Sequence, residues 1–443
     1  MEISASDQRP ITHVHNKKRE KMFEQNETQK NVALVGSTSN PLRQRLGAIH
    51  EMLEDLTSSP SSHDMLELAM ATATSLDVSQ QDDTPLVWLI IVGVPGSDKT
   101  QRVLTLKECS HTMFLDALTP NSFASGYVND KTGEGANSLL PELDGKCLII
   151  KDLTTLFSQR SDTVQKILGD LQSIYDGSYS KATGTVGVLS YESQFTILAC
   201  ITPQALKKHQ GYMSSIGGRF LCFGIADLTA EEREEGFDLI WKTEGRKEKV
   251  HALEEMVVVH VEDILTCPST FKGETPEQQR VINTLAELMA AGRSVVEYGV
   301  VDGSKREIVG HQTEQPWRGT YQLRTLGRAL ARVHGRDHLT EHELEILRRV
   351  VLSSISMTWG DILRMVPYHP EGFTVGKVSS GSGLSDPWVR QKLGELVKVG
   401  ILESDKVGNE RVYYPIPKYH DLLSKPLSPL NHGQDLQGEE KKH

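Results

Sequence analysis

The stretch LVWLIIVGVPGSDKT, residues 86–100, decides the fold. Its continuous apolar run, Leu86 to Val92, predicts a fully buried strand of a parallel sheet. GVPGSDKT follows the run and resembles the phosphate-loop pattern G-x-x-x-x-G-K-[ST]. A helix-compatible segment, TQRVLTLKEC, comes next. Because a strand, a loop and a helix in this order are the setting that such a loop needs, we predict a nucleotide site here.

In a phosphate loop, backbone N–H groups and the helix N-terminus hold the phosphates. Lys99 is predicted to reach the β and γ oxygens, and Thr100 to hold Mg²⁺. Asp98 stands where the pattern has glycine, so its β-carbon must fit the loop backbone and its carboxylate must point away from the phosphates. The alternative is a plain turn between strand and helix. The predicted ATP-binding residues are Gly93, Pro95, Gly96, Ser97, Asp98, Lys99 and Thr100.

A second acidic position is expected at the end of another apolar strand. GKCLIIKDLTTL, residues 145–156, supplies such a strand, but Lys151 and Asp152 replace the usual pair of acids. Asp152 is predicted to orient Mg²⁺ or the attacking water, and a Lys151 side chain turned into the site would slow hydrolysis. The alternative is that Asp152 only caps the following turn.

Composition limits the class of protein. The chain has 443 residues, which predicts two to four domains, and its 38% hydrophobic and 24% charged residues are typical of a globular protein. It has no apolar run long enough for a membrane span or a secretory signal, so we expect a cytoplasmic protein without a membrane partner. The five cysteines are widely spaced and predict buried, reduced thiols. A net charge of −11 confines any nucleic-acid contact to a local surface.

The pattern of segments predicts five regions. Residues 1–84 are flexible at first, with a basic cluster at 17–21, and then contain helices near 41–56 and 64–76 and a linker, DVSQQDDTP. Residues 85–229 alternate strands and helices, which indicates an α/β domain with a mainly parallel sheet. Residues 230–368 are predicted to be helical, 369–418 to form a small module, and 419–443 a disordered tail.

Further motifs follow the phosphate loop in order. They are IKDLTTLF, SYSKATGTVGVLSYESQFTILACITP, GGRFLCFGIAD and YQLRTLGRALARVHGRDHLTEHELEIL. Together with the G-x-P-G loop, this order resembles the minichromosome-maintenance class of AAA+ ATPases and their relatives on mobile elements. The likeness covers roughly residues 86–352, and that class commonly has a non-glycine residue before the loop lysine.

The resemblance implies an α/β fold: an AAA+ P-loop NTPase core with a parallel sheet, a helical lid and a C-terminal winged-helix domain. It implies that Lys181 is a hairpin-tip lysine that contacts DNA, that Thr202 is the sensor-1 residue, and that Arg219 is an arginine finger. Arg324 is then the sensor-2 arginine of the lid. Ordinary surface arginines and a solvated hairpin lysine are the alternatives. The class has a large N-terminal region that residues 1–84 do not match, so ring loading is expected to differ.

The segment 373–417 reads as a winged helix. Ser385, Asp386 and Pro387 predict a helix start, and a hairpin turns at Gly408 and Asn409. The helix would present Arg390 and Gln391 to DNA, and the wing Lys406 and Arg411. Winged helices also bind other proteins, so the sequence leaves both DNA binding and protein docking open for this segment.

The expected function is that of a DNA-dependent ATPase using ATP and Mg²⁺, which assembles as a homo-oligomeric ring, a hexamer, and acts as a helicase, translocase or remodeller. The alternative is a nucleotide-dependent switch with weak hydrolysis that recruits partners through the winged helix, in a mobile-element or defence system. His334, His338 and His342 have the spacing of ligands on one helix face, but Gly335 and a helix start at Thr340 break that helix, so no metal site is predicted there.

Overall fold

The computed structural model describes residues 40–125, 138–184, 187–242, 244–267, 271–301 and 305–426. The basic cluster at 17–21 lies outside these residues, as does the tail beyond 426. The tail predicted from residue 419 begins too early, because His420–Leu423 form a short helix with Leu423 buried. Arg348 holds this helix in place by donating to the carbonyl oxygens of Leu422, Lys425 and Pro426.

A five-stranded parallel sheet lies at the centre of the α/β region, as predicted from the apolar runs. The strand order is β2-β3-β6-β1-β7, and every neighbouring pair is parallel. A separate antiparallel hairpin, β4–β5, connects α6 to β6. The strands are β1 Trp88–Val92, β2 Thr112–Leu115, β3 Cys147–Ile150, β4 Ser178–Thr183, β5 Gly187–Glu192, β6 Thr196–Ile201 and β7 Phe220–Gly224.

Helices cover both faces of the sheet. Because successive strand residues point to opposite faces, Leu89 and Ile91 join one apolar cluster, while Trp88 and Ile90 join the other. The helices of this half are α1 Pro41–Glu54, α2 Ser61–Asp82, α3 Lys99–Leu104, α4 Leu140–Leu143, α5 Thr154–Phe157, α6 Ser161–Tyr175, α7 Pro203–Lys208 and α8 Gln210–Ser215.

Helix α2 is buried along most of its length, and it extends further than the sequence predicts. The predicted linker 77–85 is therefore wrong for residues 77–82, which continue the helix to Asp82. Residues 77–82 read as polar, but their acidic side chains are paired with arginines that follow later in the chain. Arg332 binds Asp77, and Arg328 binds Asp82.

The region 230–368 is mostly helical, as predicted, with one exception. SVVEYGVV, residues 294–301, and the segment that follows form an antiparallel hairpin. Its β-branched residues favour a strand, a signal that the flanking helical patterns obscured. The elements are α9 Ala230–Trp241, α10 Arg246–Thr266, α11 Pro276–Gly292, β8 Val295–Val301, β9 Lys305–Gln312, α12 Trp317–Val333, α13 Glu341–Ser354, α14 Met357–Leu363 and a 3₁₀ turn Val366–Tyr368.

The C-terminal segment contains two helices and a hairpin in the predicted order. Ser385 is the N-cap of the second helix, whose buried side includes Val389 and Leu393. The main-chain groups of Phe373 pair with Tyr413 in the hairpin. The elements are α15 Val375–Ser382, α16 Asp386–Lys398, β10 Leu402–Val407, β11 Glu410–Pro415, a 3₁₀ turn Pro417–Tyr419 and α17 His420–Leu423. Within the described ranges, no helix combines the length and apolarity that a bilayer crossing requires.

All five cysteines are free thiols, and Cys109, Cys147, Cys200 and Cys222 are buried as expected. Cys267, at the end of α10, is exposed, so the prediction of burial is wrong for that residue. Burial raises the pKa of Cys109, Cys147 and Cys200 to about 12 and that of Cys222 to about 11.

These pKa values predict selective thiol chemistry. At pH 8 a thiol with a pKa of about 12 is ionised to roughly 1 part in 10⁴, and only the thiolate is nucleophilic. We expect an alkylating reagent to modify the folded chain once, at Cys267, and peptide mass mapping to locate the adduct. Cys267→Ser should abolish rapid labelling, and rapid modification of a sheet cysteine would contradict the packing described above.

Candidate functional site

The carboxyl ends of β1, β3 and β6 lie at the same end of the sheet, and several predicted site residues meet there. The phosphate loop leaves β1 at Gly93, whose N–H donates to the carbonyl of Ile201 at 3.1 Å. Leu153 N–H donates to the carbonyl of Cys200 at 2.8 Å, which fixes the turn after β3 against β6. The chain connectivity therefore places the loop, Thr202 and Asp152 side by side.

The loop backbone has the features that close approach of a phosphate requires. Gly96 has a φ of 81°, and a β-carbon added to Gly93 would lie 2.5 Å from Ile225 Cδ1. Ser97 Oγ donates to the carbonyl of Val94 at 2.8 Å, and Lys99 Nζ donates to the same oxygen at 3.0 Å. The ammonium of Lys99 thus lies over the loop, with Pro95 and Gly96 exposed beneath it and Thr100 next in α3.

Asp98 adopts the backbone conformation that glycine would otherwise provide, with a φ of 56°. Aspartate is one of the few residues that tolerate this left-handed region. Its Oδ2 accepts a hydrogen bond from Thr57 Oγ1 at 3.0 Å, which ties the carboxylate to the α1–α2 connection. The β-carbon of Asp98 thus fits the loop backbone, and its carboxylate is turned toward Thr57. Thr57 carries no sequence signal that could have identified it.

The two residues after β3 point in different directions. Lys151 Nζ lies 2.7 Å from the carboxylate of Asp116, which directly follows β2. Because β2 and β6 flank β3 on opposite sides, this ion pair draws the ammonium away from the phosphate loop. Asp116 was not predicted as a site residue, although it ends the apolar strand TMFL just as Asp152 follows CLII.

Asp152 performs the capping role that the sequence left open. Its Oδ1 accepts from the N–H of Thr154 at 2.9 Å. Cys200 lies on β6, which runs between β3 and β1. Burial first, and the Asp152 carboxylate in addition, raise the Cys200 pKa to about 12, and the Lys99 ammonium opposes them. Capping and a role at the phosphate edge are compatible.

Thr202 lies at the end of β6 and is the N-cap of α7. Its Oγ1 accepts from the N–H of Ala205 at 3.3 Å. Since a hydroxyl both accepts and donates, this bond leaves the Thr202 hydroxyl proton available to an acceptor.

The structure places Arg219 and Arg324 near the amino ends of the strands, at the end of the sheet opposite the phosphate loop. Arg219 precedes β7, whose first residue, Phe220, pairs with Trp88 at the start of β1. Arg324 belongs to the same part of α12 as Thr325, which bonds Thr84 just before β1. Neither arginine therefore lies at the end of the sheet that carries the phosphate loop of its own chain.

Arg219 is part of an arginine cluster around the Gly217–Gly218 turn. Its guanidinium lies 5.5 Å from the ring centroid of Tyr175 and 3.5 Å from the carboxylate of Asp176. Arg318 donates to the carbonyl of Gly217 at 3.0 Å, and Arg293 donates to that of Gly218 at 3.3 Å. The sequence indicated the turn but missed Arg293 and Arg318, which come from distant helical segments. Arg324 is paired separately, with Glu274 at 3.4 Å.

Lys181 was predicted at the hairpin tip, and this position is wrong. It lies within β4 opposite Leu189, two positions before the strand ends at Thr183. Its Nζ donates to Asn121 Oδ1 at 3.2 Å and to the carbonyl of Ala124 at 3.1 Å. The hairpin lysine is therefore engaged by a neighbouring loop of the same chain.

The predicted DNA-contacting residues of the C-terminal segment differ in their surroundings. Arg390 is exposed on α16, whereas Gln391 donates to the hydroxyl of Tyr298 in β8 at 2.9 Å. Lys406 and Arg411 are exposed and lie directly opposite each other in the β10–β11 hairpin. Like charges in this position repel each other, so a bound anion would relieve the repulsion.

No profile of a known protein family matches the chain, and no curated protein sequence matches it. One solved structure with a partial likeness is a "putative ATPase" from Cytophaga hutchinsonii ATCC 33406, with 14% identity and a TM-score of 0.40. The alignment covers 80% of this chain and 94% of that chain. Since the likeness is this weak, neither fold nor function is inferred from it.

The conformation of Asp98 can be tested by substitution. Because a β-branched side chain is poorly tolerated at positive φ, Asp98→Val should lower the free energy of unfolding by about 1–2 kcal/mol more than Asp98→Gly does. Chemical denaturation of both variants measures the difference. Equal stabilities would contradict the left-handed loop.

Proposed function

We propose that this chain binds ATP with Mg²⁺ and hydrolyses it in a ring of identical subunits, as a DNA-dependent AAA+ ATPase of helicase, translocase or remodeller type. One observation carries the proposal: a glycine-containing loop at the carboxyl edge of a parallel sheet, with Lys99 folded over it and Asp152 and Thr202 beside it. The order of motifs supports the same class of protein.

The residues fit a nucleoside triphosphate. The loop N–H groups and Lys99 would hold the phosphates, Thr100 and Asp152 would hold Mg²⁺, and Thr202 would donate its remaining proton to a phosphate oxygen. The bound Mg²⁺ would neutralise charge on the phosphates. The Thr57–Asp98 and Asp116–Lys151 contacts keep the two departures from the usual motif from opposing this role.

The position of Arg219 supports an assembly in which subunits complete each other's sites. An arginine at the opposite edge of the sheet cannot reach its own phosphate loop, but it can face the loop of an adjacent copy. Arg219 is the proposed finger, Arg324 the proposed lid arginine, and a closed ring, a hexamer in the related class, satisfies every copy.

DNA is the proposed partner on the basis of two local sets of cations. Lys181 on the β4–β5 hairpin can exchange its contacts with the 120–124 loop for a backbone phosphate. The exposed pair Lys406 and Arg411, together with Arg390 on α16, suits the phosphates of a duplex if residues 373–417 act as a winged helix. Docking of a protein partner is the other use of that module.

A second candidate function is a nucleotide-dependent switch with weak hydrolysis. The observation that favours it is that the carboxylate of Asp152 is engaged in capping Thr154, while Lys151 stands where a second acid is usual. In this case ATP binding, and not turnover, controls a partner held by the C-terminal module.

ATP hydrolysis with and without single- or double-stranded DNA tests the proposal directly. Lys99→Ala should lower ATP affinity about 10–100-fold, since a charge-assisted contact to phosphate is worth about 1.5–3 kcal/mol. Lys107→Ala, an exposed lysine just beyond the same helix, is the matched control and should bind ATP normally. Binding without DNA-stimulated turnover would favour the switch. Unchanged ATP binding by Lys99→Ala would refute the site.

Arg219→Ala should retain ATP affinity and lose turnover, because an arginine finger acts on the neighbouring site and contributes about 10³-fold or more. Mixing this variant with Lys99→Ala should restore part of the activity, since one chain keeps the site and the other keeps the arginine. The exposed Arg160→Ala is the control. Failure of the mixture to recover any turnover would argue against catalysis between subunits.

A further inference from the structure

A buried cluster of one carboxylate and three imidazoles lies between α1, α2 and the α12–α13 turn, away from the phosphate loop. Glu67 Oε2 lies 3.0 Å from His334 Nε2 and 2.8 Å from His342 Nε2. His50 Nε2 is 3.1 Å from the other oxygen, Oε1. Glu67 is completely buried, and each of the three histidines is at most 4% exposed. The nucleotide site uses none of these groups.

The helix break that argued against a metal site is what brings two histidines together. His334 ends α12, Gly335 has a φ of 65°, and the predicted capping box of Thr340 and Glu343 starts α13. The turn reverses the chain, so the rings of His334 and His342 lie 4.5 Å apart between centroids. His338, the middle member of the sequence pattern, is exposed and contacts Asp337 instead.

Two ion pairs flank the cluster. Arg336 pairs with Glu343 at 2.6 Å, and Arg349 pairs with Asp64. The Glu67 carboxylate contacts the imidazoles of His50, His334 and His342. One carboxylate and neutral imidazoles are the donor set that a buried divalent transition metal takes.

We propose that Glu67 Oε2, His334 Nε2 and His342 Nε2 bind one divalent transition-metal ion, zinc, with His50 orienting the carboxylate through Oε1. Imidazole ligands select zinc over magnesium or calcium. Tetrahedral zinc with bonds of about 2.0–2.1 Å needs ligand atoms about 3.3 Å apart, so the two distances from Glu67 Oε2 to the imidazole nitrogens must widen by a few tenths of an ångström. All three ligand atoms lie within 4.8 Å of one another.

Burial argues against a catalytic role for this ion. A catalytic zinc needs a position open to substrate, whereas these ligands lie in the interior. One ligand comes from α2, and the other two come from the end of α12 and the start of α13. The histidines follow Glu67 by more than 260 positions along the chain. The metal would fasten the helix that precedes the phosphate loop to the helical region after the sheet.

Titration of the untagged full-length chain with zinc, in competition with a chromophoric chelator, tests this proposal. After removal of bound metal, the wild type should take up one equivalent. His342→Ala should lose this tight binding, whereas the matched control, His338→Ala, should keep it. His50→Ala should weaken affinity about 10–100-fold, as expected for a residue that orients a ligand. Lys99→Ala should bind zinc normally, which separates this result from the fate of the nucleotide site.

A measurement on the wild type guards against variants that fail to fold. Zinc should raise the midpoint of thermal unfolding and EDTA should lower it, because a ligand specific for the folded state stabilises it. Cobalt in the same site should show the visible absorption of a low-coordinate nitrogen site, and His338→Ala should reproduce it. Less than one equivalent of zinc in the wild type, or tight binding that survives in folded His342→Ala, would overturn the proposal.

Discussion

The architecture depends on one buried helix and the charges that it carries into the interior. Asp64, Glu67, Asp77 and Asp82 all lie on α2, and each meets a basic partner from α12, α13 or their connection. Asp64 and Glu67 are completely buried, whereas Asp77 and Asp82 are partly exposed. Removing the partner of a buried acid such as Asp64 leaves a buried charge alone, which is strongly destabilising. The packing of α2 between the sheet and the later helices therefore holds only in the register that pairs every acid.

Much of the sheet and the loop could be predicted because both depend on local order in the chain. A continuous apolar run followed by GVPGSDKT determines a buried strand, a turn and a helix without reference to distant residues. The prediction of a linker at residues 77–82 was wrong for the opposite reason. Asp77 and Asp82 are polar residues, and the arginines that pair with them follow about 250 positions later in the chain. For the same reason the sequence did not identify four residues near the candidate site: Thr57, Asp116, Arg293 and Arg318. Only the folded chain brings them to their partners.

The sheet also separates the candidate site residues into two sets. The loop, Asp152 and Thr202 lie at the carboxyl ends of the strands, and the arginine cluster lies near the amino ends of β1 and β7. Residues that the sequence motifs bring together as one candidate site are therefore held at opposite ends of the same sheet.

The bond from Thr57 to Asp98 has a mechanical consequence. The α1–α2 connection contacts the loop directly, so a displacement of α1 reaches Asp98 without passing through the sheet. A load on α1 would therefore be transmitted through Thr57 to the residue in front of the loop lysine.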